Sequence, residues 1–310
     1  APSREACGLP AEGFVFCCFN NNYKISPAVF DVWMRLVQKV PGSVLWLLQD
    51  NPELRISMDL TDSLPDLVAT GTDLAIRIAR LVKLERPEAS LNPFDTVPHA
   101  WVRDRELVAR AGRFWEGLGR PLQHLFNAVF WDPRRFQRYL EGPSSLQGHH
   151  NGRNGNFRHA LEVAERARTL GCHHAEVHLP VLIAASLLHD AGKAEEYQFN
   201  PVRGRYEMTE RGALLGHKHT VLEWIAAARA QHRVIIPEAH YLALLHAITA
   251  AKGAPDWLGL REPLSLDAHI LSTVDRLSGQ ADLVSRHAAR DGGFGAYHRH
   301  LGGRPYVVRE

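Results

Sequence analysis

Phe157-Arg158-His159-Ala160-Leu161-Glu162-Val163-Ala164 and Leu187-Leu188-His189-Asp190-Ala191-Gly192-Lys193, with thirty residues from His159 to His189, decide how this chain reads. A lone Asp275 follows in a helix-like, largely apolar run. Two imidazoles and two carboxylates brought to one point form a mixed nitrogen and oxygen site for a divalent metal. Mn, Fe, Co or Zn suits such a site better than Ca, which prefers all-oxygen shells. From about residue 100 onward apolar residues recur at three- and four-residue spacing, a helical pattern. The expected fold is mainly α: a helical bundle over 100–310 preceded by a small partial α/β segment.

Each of these residues also has a plainer reading. His159 alone would more often be a surface or satisfied core histidine. His189 and Asp190 are about 100° apart on a helix, so they meet one ion only if it lies between their faces; Asp190 is also able to bridge two ions. With Gly192 just beyond, the pair could simply end a helix, but that leaves a carboxylate unexplained after Ala184-Ala185-Ser186-Leu187-Leu188. Asp275, beside Val274, would be costly if buried unpaired. A metal, or Arg276 folding back, removes that cost.

The chain has 310 residues, 45% hydrophobic and 23% charged, with a formal charge of +2, as expected of a globular protein without bulk attraction to nucleic acid. Cys7, Cys17, Cys18 and Cys172 show neither metal-ligand nor redox spacing, which fits a reducing compartment. No segment reads as a signal peptide or a bilayer span, so a cytoplasmic location without membrane partners is expected. Of eighteen histidines, only His99 and His124 precede residue 149, which puts any metal chemistry in the second half.

Three stretches are expected. Over 1–54, strand Phe14–Phe19 leads through a polar loop to a helix with Ser26 as N-cap and Pro27 in its first turn, then to strand Ser43–Leu48, a βαβ unit. Over 55–99, a strand, short helix and strand (55–81) precede a Pro- and charge-rich linker, 82–98. The remainder, 100–310, is the helical domain.

The ordered residues His159, His189-Asp190 and Asp275, with Pro143-Ser144-Ser145, Gly212-Ala213-Leu214-Leu215-Gly216-His217, Leu244-Leu245-His246, Gly253 with Trp257, and Ala268-His269-Ile270-Leu271, resemble the HD phosphohydrolase superfamily. Within it the likeness is to the HD domain of YhaM-type 3′–5′ exoribonucleases, and more distantly to the HD region of TraI-like conjugation proteins. The resemblance implies metal ligation by His159, His189, Asp190 and Asp275, with further ligands from His217 and a His-His-Gly segment. Here that segment reads Ala251-Lys252-Gly253, so His246 or His219 is the candidate substitute. It also implies a catalytic role for Asp190 and Lys193, with Lys193 on the substrate phosphate; Arg153 and Arg158, which precede and flank His159, are candidates for a basic rim around that phosphate. Lys193 alone would pass for a solvated lysine at a helix end. His149 and His150 are candidates for the entrance.

The expected activity is metal-dependent phosphoester hydrolysis by metal-activated water, with Mn first among the ions and Fe, Co, Zn or Mg as alternatives. Expected partners are single-stranded RNA or DNA, or a nucleotide; oligomeric state is not indicated. Arg134-Arg135-Phe136-Gln137-Arg138-Tyr139 interleaves cations with aromatics, but Phe136 and Tyr139 at three-residue spacing read first as core. A non-catalytic HD module that binds nucleotide or nucleic acid is the alternative.

The N-terminal stretches carry other resemblances. Phe16–Pro27 and Val40–Leu48 resemble the nucleotide-sugar half of O-linked N-acetylglucosamine transferases, which places Lys24 at a nucleotide diphosphate. Asp66–Ile78 is similar to part of the effector domain of LysR-type regulators. Both are fragments, expected to serve as scaffold.

Overall fold

The computed structural model describes residues 91–253 and 259–308, Pro87, and, nearer the N-terminus, two strands with a few single residues around and between them. The chain falls into two compact units, Ala1–Glu85 and Arg86–Glu310.

In the first unit β1 (Val15–Cys18) pairs in parallel with β2 (Val44–Leu47), Val15 opposite Val44 and Cys18 opposite Leu47. A parallel pair needs a crossover, and residues 32, 33, 35 and 39 between the strands are helical. Lys24, the Ser26-Pro27 cap, the whole of 55–81 with its LysR-like segment, and Trp257 lie outside the described residues.

The second unit begins earlier than the composition suggests. Pro93–Thr96 is a 3-10 turn capped by Asn92, whose Oδ1 accepts from the Phe94 N–H at 3.1 Å. Phe94 and Val97 are buried, and Asn127 Nδ2 donates to the Leu91 carbonyl at 2.8 Å. The latter part of the expected linker therefore belongs to the helical core. Its proline opens a helical turn, where a missing N–H costs nothing.

The helices that follow are α1 (Arg105–Glu116), α2 (Arg120–Val129), α3 (Pro133–Glu141), α4 (Gly155–Gly171) and α5 (Leu179–Leu188). A short α6 (Lys193–Glu196) runs into an antiparallel hairpin, β3 (Tyr197–Asn200) and β4 (Arg205–Met208). Then come α7 (Glu210–Leu214), α8 (Gly216–Gln231), α9 (Glu238–Thr249), α10 (Leu266–His287) and a small pair, β5 (Gly293–Phe294) with β6 (Tyr306–Val307). Local chemistry sets several of the starts. Asp104, Asp132 and Ser265 cap α1, α3 and α10 by accepting backbone N–H bonds from Leu107, Arg134 and Ala268. No described helix is long and apolar enough to cross a membrane.

α5 is the centre of the bundle. It is apolar all round, the mark of an enclosed helix, and Val181 through Leu188 are all buried. α4, α9 and α10 pack against it. Beneath α4, the rings of Phe94, Phe126, Phe130, Phe136, Tyr139 and Phe157 form one aromatic cluster with neighbouring centroids 4.7 to 6.5 Å apart. Phe136 and Tyr139 are thus core, as their spacing suggested, and offer no stacking platform to solvent. The Tyr139 hydroxyl donates to the Leu187 carbonyl at 2.8 Å, meeting an acceptor that the end of α5 leaves open. Tyr139→Phe should leave that carbonyl unpaired and cost ~1–2 kcal/mol, read as a lower urea midpoint at unchanged slope.

Candidate metal centre

Three mutually packed helices bring the ligand candidates together. α4 carries His159, α10 carries Asp275, and α5 ends at Leu188 with His189 as its C-cap residue. Asp190 therefore follows the helix end, in a turn, and the 100° separation expected for consecutive helical residues does not constrain it. His159 Nε2 lies 3.0 Å from Asp275 Oδ1 and 3.5 Å from Asp190 Oδ2. His189 Nε2 is 3.6 Å from the same two oxygens. Ligand atoms of His159, His189 and Asp275 all fall within 4.8 Å of one another.

The outer partners of the two rings fix their protons. His189 Nδ1 is 2.8 Å from the Ser186 carbonyl, which only accepts, so Nδ1 carries the hydrogen. Its Nε2 is buried without a hydrogen-bond partner. The Ser278 hydroxyl donates to Glu162 Oε2 at 2.9 Å, so at 3.1 Å His159 Nδ1 must donate to Ser278. When neutral, both rings aim Nε2 lone pairs at two carboxylates. Such a gathering of acceptors calls for a proton or a cation at its centre. The donor set, two imidazole nitrogens and two carboxylates, fits a divalent first-row ion.

Charge follows the same geometry. Burial pushes the His159 pKa down, against the hydrogen bond to Asp275. Burial also lowers His189, but the charges of Asp190 and Asp275 outweigh it and hold that ring above the ordinary value. Burial would raise both aspartates. Lys193 and the histidines hold Asp190 well below the carboxylate range, and the neighbouring rings of His159 and His189 do the same for Asp275.

Lys193 is buried, with Nζ 2.5 Å from Asp190 Oδ2 and 3.1 Å from Ser144 Oγ; it is no solvated lysine at a helix end. His217, in the first turn of α8, directs Nε2 to Asp190 Oδ1 at 3.3 Å, while Glu196 holds its Nδ1 at 2.7 Å. Gly192 makes this approach possible, because a Cβ there would press into the His217 carbonyl. His149 packs beside His159 at 4.9 Å between ring centres, and burial pushes its pKa down to about 4. His150 turns to Glu162 and Asp282.

Three expected residues are placed elsewhere. His246 stays outside the cluster, its Nε2 accepting from the Leu264 N–H at 2.9 Å. Arg153 is tied to Glu141 at 2.6 Å and to the Ala100 carbonyl, and Arg158 to Asp104 at 3.3 Å. Those pairs engage both guanidinium groups away from the cluster. Sequence reasoning missed Ser278 and Glu162, although each stands three residues beyond a candidate ligand on the same helix, the spacing that shares a face. Ser144 and Glu196 had no such signal.

The HD domain family model matches residues 156–280, a span that contains His159, His189, Asp190, His217 and Asp275. Residues 156–280 form an HD domain. Two curated proteins similar to this chain are each described as 3′-5′ exoribonuclease YhaM. The one from Bacillus licheniformis is 27% identical over 154 residues, 50% of this chain and 48% of its own. The one from a Geobacillus species is 29% identical over 150 residues, 48% of this chain and 45% of its own. The chain thus spans about half the length of these relatives. A second model, glycosyl transferase family 41, matches residues 1–56, outside the HD domain. No solved structure matches the chain.

Two outcomes are expected of the HD domain's centre. A metal must displace the proton that the charges of Asp190 and Asp275 favour on His189 against its burial. Mn affinity should therefore climb with pH, by up to about tenfold per unit, and then level off. Calorimetric titrations across about pH 6 to 8 that show a flat affinity would contradict this. Gly192→Ala should push His217 from Asp190 and destabilise the domain by ~1–3 kcal/mol, read in thermal melts.

Proposed function

We propose that the chain is a metal-dependent phosphohydrolase that cleaves phosphodiester bonds of single-stranded nucleic acid or nucleotides. One observation carries this reading: two imidazole nitrogens and two carboxylates converge where a cation is needed to separate them. HD domains bind divalent metals, and His159, His189, Asp190 and Asp275 are the residues that would hold one, with Mn preferred. The chemistry supplied by a divalent ion at such a site is activation of water and polarisation of a phosphoryl oxygen. The protein's own groups do the rest. Lys193 holds Asp190 in place and adds positive charge beside the reacting phosphate. Ser278 and the Ser186 carbonyl lock the rings of His159 and His189 with Nε2 inward. His217, fixed by Glu196, faces Asp190 and is the residue that would share a second ion with it.

RNA as substrate and cleavage from the 3′ end are extended to this chain from the relatives named 3′-5′ exoribonuclease. A cytoplasmic setting accompanies the proposal and agrees with Cys172 as a free thiol. A non-catalytic nucleotide-binding module is the second reading. It draws on Ala251 and Lys252, which offer no imidazole where the YhaM-type pattern has two, and on His246, whose Nε2 is already engaged.

Metal content by elemental analysis, with a single-stranded oligonucleotide assay on the Mn-loaded full chain, tests the proposal. The parent should bind roughly one or two ions and cleave, and His189→Ala and Asp190→Ala should lose metal and at least about a hundredfold in rate. Bound metal without cleavage would favour the module. Equal cleavage by parent and Asp190→Ala would sink the metal-dependent reading.

A further inference from the structure

Beside the centre lies a cavity of about 830 Å³, into which Asp275 also faces. One wall is α10, with Arg276, Gly279, Gln280 and Leu283 one turn apart; the loop 145–149 forms a second. The base of the hairpin adds Tyr197 and Met208, and the C-terminal loop adds Arg299 and His300. The loop 145–149 and residues 299–300 fall outside the segment matched by the HD family.

We propose that this cavity binds a nucleotide monophosphate unit, with Arg276 and Arg299 on its phosphate and Tyr197 against its base. The inference deepens the hydrolase reading and rests on it for the position of the scissile bond.

Charge is the first argument. Arg110, Arg153, Arg158, Arg211 and Arg286 are each matched to a carboxylate. Among the described residues Arg276 has no ion pair, and Arg299 bonds to Gln147 and His300 and to no carboxylate. Among the described residues the one acid in the lining is Asp275, whose carboxylate is turned to His159 and His189. Two unmatched guanidinium groups around a concave space suit a phosphate, which they meet with paired donors.

Shape and chemistry extend the argument from phosphate to nucleotide. The space is far larger than a phosphate needs, and falls in the range of small-molecule sites. A half-buried tyrosine ring, the apolar Met208 and Leu283, and the amides of Gln147 and Gln280 offer a planar base both a face and hydrogen bonds.

The loop that presents Arg299 is built rather than loose. Gly295 N–H donates to the Pro305 carbonyl at 2.7 Å and Ala296 N–H to the His287 carbonyl at 3.0 Å, while His298 bridges Gly303. Gly295 passes so close to the His287 carbonyl that any Cβ would collide with it. These bonds tie the loop to the last turn of α10, the helix that also carries Arg276. The two arginines are in this way held on one frame.

Calorimetry on the Mn-loaded full chain tests the site with three probes: AMP, inorganic phosphate, and a phosphorothioate oligoadenylate. AMP should bind more tightly than phosphate. Arg276→Gln and Arg299→Gln should each weaken AMP by about tenfold or more, and Tyr197→Leu should weaken AMP but not phosphate. Arg113→Gln, on α1 and paired with Glu106, should bind as the parent does, and metal content should be unchanged throughout. Tighter binding of the oligoadenylate than of AMP identifies a strand end as the occupant; the reverse identifies a free nucleotide. A parent that ignores AMP, or arginine variants that bind it at parental strength, overturns the inference. Hydrolysis of bis(p-nitrophenyl) phosphate reads the hydrolase separately. A parent that cleaves it but ignores AMP loses only the cavity assignment. A parent that binds AMP through these arginines yet cleaves nothing loses only the hydrolase reading.

Discussion

The enclosure of α5 on every side is the constraint from which the rest of the helical unit follows. Fully burying each Val, Leu or Ile is worth about 1.5–3 kcal/mol, and Val181, Leu182, Ile183, Leu187 and Leu188 all lie in that core. Rotating or sliding the helix would expose some of them at once. The end of α5 is therefore a fixed point, and His189 and Asp190 sit on it. α4 and α10 are fixed in turn by packing against α5, which sets His159 and Asp275 opposite the pair. Apolar burial thus holds four mutually unfavourable acceptors within a few ångströms, a cluster their own electrostatics would scatter.

Around that cluster a second layer decides which protonation state is presented. Ser186, Ser278, Glu162 and Glu196 each engage an imidazole from behind, directly or through a hydroxyl. Lys193 is the counterweight. Its buried ammonium against Asp190 keeps that carboxylate ionised despite desolvation, and an unpaired charge at such a depth would be costly. Recruitment of a cation and retention of Lys193 are accordingly linked through one carboxylate oxygen, Asp190 Oδ2.

Much of this was legible in the chain and some was not, for identifiable reasons. The helical unit and the four central side chains could be read because periodicity and the order of His159, His189-Asp190 and Asp275 are local or colinear signals. Phe136 and Tyr139 could be assigned to the core because spacing alone distinguishes a buried face from an exposed one. Arg153 and Arg158 misled because their carboxylate partners, Glu141 and Asp104, are twelve and fifty-four residues away, a pairing no local pattern encodes. His246 misled similarly: its ring is occupied by a backbone N–H eighteen residues on. The burial of Lys193 depends on Ser144, forty-nine residues earlier. The capture of residues 91–98 by the core hung on Phe94, a single aromatic in a Pro-rich stretch.

The hairpin of β3 and β4 shows how variation can be kept apart from chemistry. Its base supplies Tyr197 and Met208, paired across the ladder, while its tip, 201–204, stands in solvent with Val202 almost wholly exposed. The tip closes on itself: Asn200 Oδ1 accepts from the N–H groups of Val202 and Arg203, and Gly204 takes a left-handed conformation. Nothing in the core reads its length. Descendants of this sequence are therefore free to lengthen, shorten or decorate that turn, and acquire new surface there, while Tyr197 and Met208, three ladder steps below its closing pair, keep their places.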